Sequence, residues 1–433
     1  MTNHPDAQHD FRTAQDATYR YRNVRQDYRT EEMRITPPER ARIQNWLSRD
    51  VPQAPARSQP RSPRLIIDTD IGTDVDDALA LLFALQVAGA QSDFLGITTV
   101  YGHSHLRAAV ARAIVAADGV APRTLPVTAG ESTPLGTHFP VWHTGTEGER
   151  VLESEQIETL QRKSDFVVAN GITPVPISDV YTSRRHGHHA AACWIIEQVR
   201  RFPGEVTLAS IGALTNIAVA LRLDPGIKSL VSRIVHMGTG SRLQVAPEAM
   251  TALPFAPPEA PIEAGAGRAW VHYPNINLIA DTLAAIEVFD SGIPVDVIGH
   301  EVTSQLWWGT ASSRRHAPHQ LQCAVEACTA LRRARAPAPA AVVGRMLDVW
   351  LDYRSAIFGR AILGTCPHDP LTVAEAMFPG RFVTFSPPGH LLVHEWAAFS
   401  SFVCAPGGPH RIARAVEREP FIELMSASLR PSA

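Results

Sequence analysis

A mostly parallel α/β sheet with helices on both faces, Rossmann-like in its layering, is predicted by three features of the 433-residue chain. Short apolar runs ending in Gly, Asp or Thr recur from residue 65 onward: LIID, DFLGITTV, LPVTAG, VTLASIG, RIVHMG and PVDVIG. Runs with helical spacing, such as ALALLFALQVAG, LRAAVARAIVAADG and NIAVALRL, lie between several of them. Alternating strands and helices require crossover connections, which make the strands parallel and put helices on both faces. A hydrophobic content of 45% beside 19% charged residues supplies the core such a fold needs.

The elements follow in order. Residues 1–62 are polar and end in the breaker-rich VPQAPARSQPRSPR. They bury too little apolar area to offset their ordering entropy, so they read as a disordered extension, with one short helix expected around residues 36–48 and Trp46 on it. Residues 63–425 read as one domain. Two stretches break its rhythm: the Pro/Ala-rich residues 241–270, read as a surface insertion, and RRARAPAPAAVV at 332–343, read as a linker between helices.

Formal net charge is −3, so no global positive field favours nucleic acid or an anionic membrane. Cys193, Cys323, Cys328, Cys366 and Cys404 form no CxxC pair, which argues against a disulfide framework or a zinc knuckle. There is no signal-peptide apolar core and no membrane-spanning run, so a soluble cytoplasmic protein is expected.

The sharpest feature is RLIIDTDIGTDVDDALALLFAL at residues 64–85. An apolar strand leads through a turn at Gly72 into an apolar helix, and Asp68, Asp70, Asp74, Asp76 and Asp77 lie between. In open parallel sheets, ligands bind beyond the carboxyl ends of the strands, where this loop falls. Carboxylates so crowded repel one another unless a cation neutralises them, and an all-oxygen set selects a hard ion, calcium or magnesium. Helix capping by Asp74 or Asp76 is the competing reading; it accounts for one or two acids, not five in ten residues. Haloacid-dehalogenase-like phosphatases also open with Asp-x-Asp after a first strand, as Asp68-Thr69-Asp70 would. That family needs Thr or Val where this chain has Gly72, and a later lysine, for which only Lys163 and Lys228 exist.

DTDIGTDVDDALA resembles the N-terminal signature of nucleoside hydrolases, although the usual form is two residues shorter between the Gly and the paired Asp. Four more segments agree in order: GITTVYG with its following helix and LPVTAG; GEVTLASIGALTNIAVAL; HMGTG; and CPHDPLTVAEAMFP. The resemblance implies the nucleoside hydrolase fold and hydrolysis of an N-glycosidic bond at a Ca2+ site, releasing base from a small-molecule riboside in a homodimer or homotetramer. It implies that Asp70, Asp77, the backbone carbonyl of Thr215 and Asp369 ligate calcium, with Asp70 also taking a proton from the attacking water. Asp76 and Asn277 would bind ribose hydroxyls, with Asp74 open to share or swap the role of Asp76 because of the two-residue difference; Asp281 would start the next helix, and His368 would donate a proton to the leaving base. His143 falls near where the family places a further active-site histidine. Capping or packing at a helix start is the competing reading of His368. His186, His188 and His189 resemble a zinc cluster, yet they open an amphipathic helix and read as solvated helix-start residues.

Two departures stand out. His103 follows Gly102 where the family has Asn, and Asn275 replaces a Glu two residues before the ribose-binding Asn277. Both positions face the sugar in the family, so a modified riboside is an expected substrate. The reading from a different class is a metal-dependent nucleoside- or ribose-binding protein without turnover.

Overall fold

In the computed structural model the described residues are 63–72, 74–88, 94–102, 104–117, 125–137, 165–168, 172–176, 189–241, 269–335, 338–394 and 400–430. The expectations for residues 1–62, for Trp46, for most of 241–270, and for His103, His143, His186 and His188 lie outside them.

The first half alternates as the sequence predicts. Strand β1 (Arg64–Thr69) leads into helix α1 (Asp76–Ala88), β2 (Phe94–Thr99) into α2 (Ser104–Ala116), and β3 (Val127–Ala129) follows. A hairpin of β4 (Asp165–Val168) and β5 (Ile172–Pro176) precedes α3 (Ala190–Arg201). Then come β6 (Val206–Ser210), α4 (Thr215–Leu223), β7 (Val231–Thr239) and β8 (Ala269–His272). Helices α5 (Ile276–Ala280) and α6 (Thr282–Asp290) lead to β9 (Val295–Gly299) and the short α7 (His300–Thr303). The strand pair β10 (Trp308–Gly309) and β11 (Gly364–Thr365) brackets α8 (Gln322–Arg332) and α9 (Pro339–Phe358). Helix α10 (His368–Met377), strands β12 (Val383–Phe385), β13 (Gly389–Val393), β14 (Ser400–Cys404) and β15 (His410–Val416), and α11 (Arg418–Leu429) complete the order.

Among the described residues an 11-stranded sheet runs β3-β2-β1-β6-β7-β9-β15-β13-β14-β8, with β12 beside β15. Pairings from β3 through to β15 are parallel, and those beyond are antiparallel. The antiparallel end is an addition to the predicted sheet, built by the C-terminal strands β12 to β15, which lack intervening helices, with the mid-chain β8 at its edge. Strand β1 lies buried between β2 and β6, which is why LIID reads as unbroken apolar sequence rather than as alternation. The chain winds from β1 outward to β3, then returns to β6 on the other side. The crevice at the carboxyl ends of β1 and β6 is therefore a switch point.

Helices α1, α2, α9, α10 and α11 pack together as one set, and α3, α4 and α6 as another. The linker predicted at 332–343 is shorter than expected, because α9 begins at Pro339. Proline at the first helical turn lacks an N–H the helix would leave unpaired anyway, so PAAVV at 339–343 joins the helix despite its composition.

Two histidines sit inside this framework against Phe289. His236 on β7 and His410 on β15 each meet its ring edge-on, at 6.1 and 5.2 Å. Burial pushes both pKa values from 6.5 down to about 4. The unfolded chain therefore binds more protons between those values. The stability from holding each ring neutral is complete above about pH 6.5 and is lost as pH falls through about 4. Urea unfolding should show stability falling with acidification across that interval. His236→Phe should flatten the slope by up to about 1.4 kcal/mol per pH unit, one proton's worth. An unchanged slope would remove His236 from acid sensitivity.

Candidate metal and substrate site

The acidic turn is held open by its backbone. Gly72 has φ of +98°, a conformation that strains any residue with a Cβ. From the next loop Gly212 approaches so closely that a Cβ there would meet the Asp70 amide nitrogen at 2.8 Å. Arg107 on α2 reaches behind the turn. Its Nε donates to the Tyr101 carbonyl at 2.7 Å, and its Nη1 donates to the carbonyls of Ile71, at 2.9 Å, and Asp70. Sequence reasoning missed Arg107; the only signal was an arginine within an apolar helical run.

Asp76 and Asp77 stand in the first turn of α1, not in the loop before it. There the helix's positive end offsets part of their charge. Asp369 comes from the other end of the chain, in the first turn of α10, and α10 packs against α1. One carboxylate oxygen from each of Asp76, Asp77 and Asp369 lies within 4.8 Å of the other two. The Asp369 N–H donates to Asp76 Oδ2 at 3.4 Å, and the Thr69 hydroxyl donates to Asp77 Oδ1.

Burial holds all three carboxyls well above the usual carboxylate range, and neighbouring carboxylates push them further. After burial, Asp74 acts most on Asp76, Asp70 on Asp77, and Asp76 on Asp369. Ligands of one calcium ion lie roughly 2.3–2.6 Å from it, so any two are at most about 5 Å apart. The three oxygens meet that limit, and their mutual repulsion is what a cation would relieve. The residues fit a hard divalent cation.

Asp70 is not one of the three mutually close carboxylates, although its charge is felt at Asp77 and at Asp369. Asp74 also stays outside: its Oδ1 accepts from the Val75 N–H at 2.7 Å, and burial raises its pKa to about 6. Asp68 is an internal strut. Its Oδ1 accepts from Thr98 at 2.6 Å and Asn216 at 2.7 Å, while burial lifts its pKa to about 7.

Around the acids the loops are tied by buried polar groups. Asn216 also donates to the Thr99 carbonyl and accepts from the Glu131 N–H, joining β1, β2 and the loop after β3. Asp281 accepts from the amides of Leu135, Gly136 and Ala284 and from the Thr215 hydroxyl. It caps α6 as the sequence predicts and also positions Thr215. Asn277 spends both amide hydrogens on backbone, at 3.2 Å to the Ile211 carbonyl and 2.8 Å to that of Met237. Its Oδ1 is the atom left for a ligand. Asn275 caps α5 by accepting from the Asn277 N–H at 2.9 Å.

His368, directly before Asp369, sets its Nδ1 2.7 Å from the Thr303 hydroxyl, and burial takes its pKa down to about 3. His189 differs from expectation. Instead of being solvated it is 5% exposed, with Nδ1 2.9 Å from Glu131 Oε1. Helix α3 packs against β3, which brings its first turn beneath the loop carrying Glu131.

Neutralising one carboxyl should have opposite effects with and without metal. In ion-free protein Asp77→Asn or Asp369→Asn removes like-charge repulsion, so the melting temperature should hold or rise. Added calcium should raise the melting temperature of the wild type and of Asp74→Asn, and should leave those two variants unchanged. A calcium response equal to wild type in Asp369→Asn would remove that carboxylate from the site.

The chain matches the family described as inosine-uridine preferring nucleoside hydrolase over residues 65–421. It is 31% identical to uridine nucleosidase 1 of Arabidopsis thaliana over 244 residues, which are 56% of this chain and 58% of that protein. The aligned region thus spans little more than half of that relative's length. Among solved structures, a plant nucleoside hydrolase, PpNRh1, superimposes with a TM-score of 0.57 at 21% identity, covering 86% of this chain and all of that one. The type III effector protein XopQ, solved with adenosine diphosphate ribose, gives a TM-score of 0.52 at 15% identity, covering 91% of this chain and 98% of that one. At such identities the two structures establish the fold alone. The match over residues 65–421, with acids from both its ends meeting at the switch point of the sheet, makes this chain a member of the inosine-uridine preferring nucleoside hydrolase family.

Proposed function

We propose that the chain hydrolyses the N-glycosidic bond of a ribonucleoside or related riboside to free base and ribose, with Ca2+ as its metal. The observation that carries this reading is the convergence of Asp76, Asp77 and Asp369 in a member of this family. Asp77, Asp369, Asp70 and the Thr215 carbonyl would hold the ion. When bound, calcium would fix the ribose diol and make water more acidic.

The residues' own contribution follows from the charge that develops. Cleavage passes through an oxocarbenium-like state, with positive charge on the sugar. A fixed group of buried carboxylates favours that charge without having to reorganise. Asp76 would accept a hydrogen bond from a ribose hydroxyl, and Asn277 would accept another through Oδ1. Asp70, beside the three close carboxylates, would take the proton of the attacking water. His368, adjoining Asp369, would face the leaving base as its acid.

The position of Asn275, capping α5 beside Asn277, supports a site that reads the far end of the sugar through an amide rather than a carboxylate. A 5′-substituted riboside is therefore included among the substrates to be tried. His103 and His143 remain proposed substrate contacts. Assembly as a homodimer or homotetramer, action in the cytoplasm and a dispensable segment 1–55 complete the proposal. Among the described residues no helix is long and apolar enough to cross a membrane.

The test is release of free base from a panel containing uridine, inosine and 5′-substituted ribosides, with and without chelator. Turnover that chelator abolishes and calcium restores is expected; binding without turnover across the panel would favour the binding-protein reading. His368→Ala should lower kcat on a nucleoside by about 10²–10⁴-fold, the usual worth of general acid catalysis. On a nitrophenyl riboside, whose leaving group departs without protonation, it should cost little. Equal losses on the two would remove His368 from leaving-group chemistry.

A further inference from the structure

His300 opens α7 immediately after β9, and the chemistry proposed above gives it no part. Its ring lies 4.9 Å from that of His368, centroid to centroid, tilted by 38°. Each ring is anchored through one nitrogen. His368 Nδ1 meets the Thr303 hydroxyl, whose own hydrogen points to the Gly299 carbonyl 3.3 Å away. His300 Nε2 meets Asn275 Nδ2 at 3.4 Å.

The Asn275 amide has a defined orientation. Its Oδ1 accepts from the Asn277 N–H, so the group facing His300 is the NH2, which can only donate. Nε2 of His300 must then be the acceptor, and a neutral imidazole with a bare Nε2 carries its hydrogen on Nδ1. The His300 ring is only partly buried, and Nδ1 has no hydrogen-bond partner among the described residues. By the same logic the hydrogen of a neutral His368 is on Nδ1 and directed at Thr303, which leaves Nε2 bare. Of the two neutral rings, His300 has the N–H that is not already used; His368 has a proton for the base only in the imidazolium form that its proposed role as acid requires.

We infer that His300 is a second leaving-base residue, whose Nδ1–H donates a hydrogen bond to the departing base beside His368. The inference rests on the proposed hydrolysis. As the C–N bond breaks, its electron pair moves onto the base, and the His300 N–H stabilises the negative charge that spreads over the ring. No proton leaves His300 in this step. Asn275 is then a positioning residue: it fixes the His300 tautomer while capping the helix that bears Asn277. This gives the Asn at position 275 a task at the leaving base as well as near the sugar.

Two measurements test it. His300→Ala should lower kcat on uridine or inosine by about 10- to 100-fold, the worth of a hydrogen bond to a group gaining charge, with KM little changed. The same variant should turn over nitrophenyl riboside within about threefold of wild type, because that leaving group needs no donor. His300→Gln, which keeps an N–H, should recover part of the loss. Equal losses on both substrates, or no loss on the nucleoside, would overturn the inference while leaving hydrolysis intact. Absence of wild-type turnover on every riboside would remove both. Independently, long-range ¹⁵N–¹H spectra of histidine-labelled protein, with His300→Gln to identify the signal, should show the neutral His300 hydrogen on Nδ1. A hydrogen on Nε2 would overturn the inference even if His300→Ala were slow.

Discussion

Mutual repulsion among buried carboxylates is the constraint on which the rest of this structure depends. Asp76, Asp77 and Asp369 bring oxygens within 4.8 Å of one another, with Asp70 and Asp74 adding their fields. Such an arrangement opposes folding unless protons or a cation neutralise it. The fold accepts that cost because α1 and α10 pack along their lengths, and their buried faces outweigh the conflict at their first turns. Aligned helix N-termini offset part of the charge locally.

Holding such a cluster in register requires that the turns around it not relax. Arg107 grips the acidic turn through the carbonyls of Asp70 and Ile71 and ties it to the loop after β2 through that of Tyr101, which fixes its path and supplies one buried positive charge. That charge is among the influences lowering the Asp77 pKa, though burial outweighs it. Asn216 and Asp281 do the equivalent for the neighbouring loops, with nearly every donor and acceptor they possess engaged. Buried polar groups satisfied in this way rigidify a site, whereas truncating one leaves its partners unpaired at about 1–3 kcal/mol each.

Next to the acids stands a set of neutral groups. Thr303, His368, His300 and Asn275 form a chain of contacts from α7 and α10 to the element bearing Asn277. Burial keeps both imidazoles away from the charged form, His368 most strongly. A cluster rich in negative charge is thus adjoined by uncharged rings, since His368 directly precedes Asp369. That asymmetry suits a reaction in which the sugar becomes positive and the base negative.

The parallel half of the sheet and the position of the acidic site were legible in the sequence, because both are written locally. Apolar runs such as LIID and VTLASIG declare buried strands, and acids after the first strand mark the carboxyl end of a sheet. Even Asp369 was within reach, through the order of short motifs. Long-range geometry was not. That Asp76 joins Asp77 and Asp369, while Asp74, two residues earlier, does not, depends on where α1 begins and how α10 lies against it. His189 looked solvated because its helix is amphipathic, and only packing against β3 buried it beside Glu131. Arg107 and His300 sit in ordinary-looking helical sequence, and what they touch is set by residues far along the chain. Sequence determined which residues form strands, helices and acidic turns, since those follow from nearby spacing and chemistry. Tertiary structure alone decided which side chains face one another, because that depends on how separate elements pack.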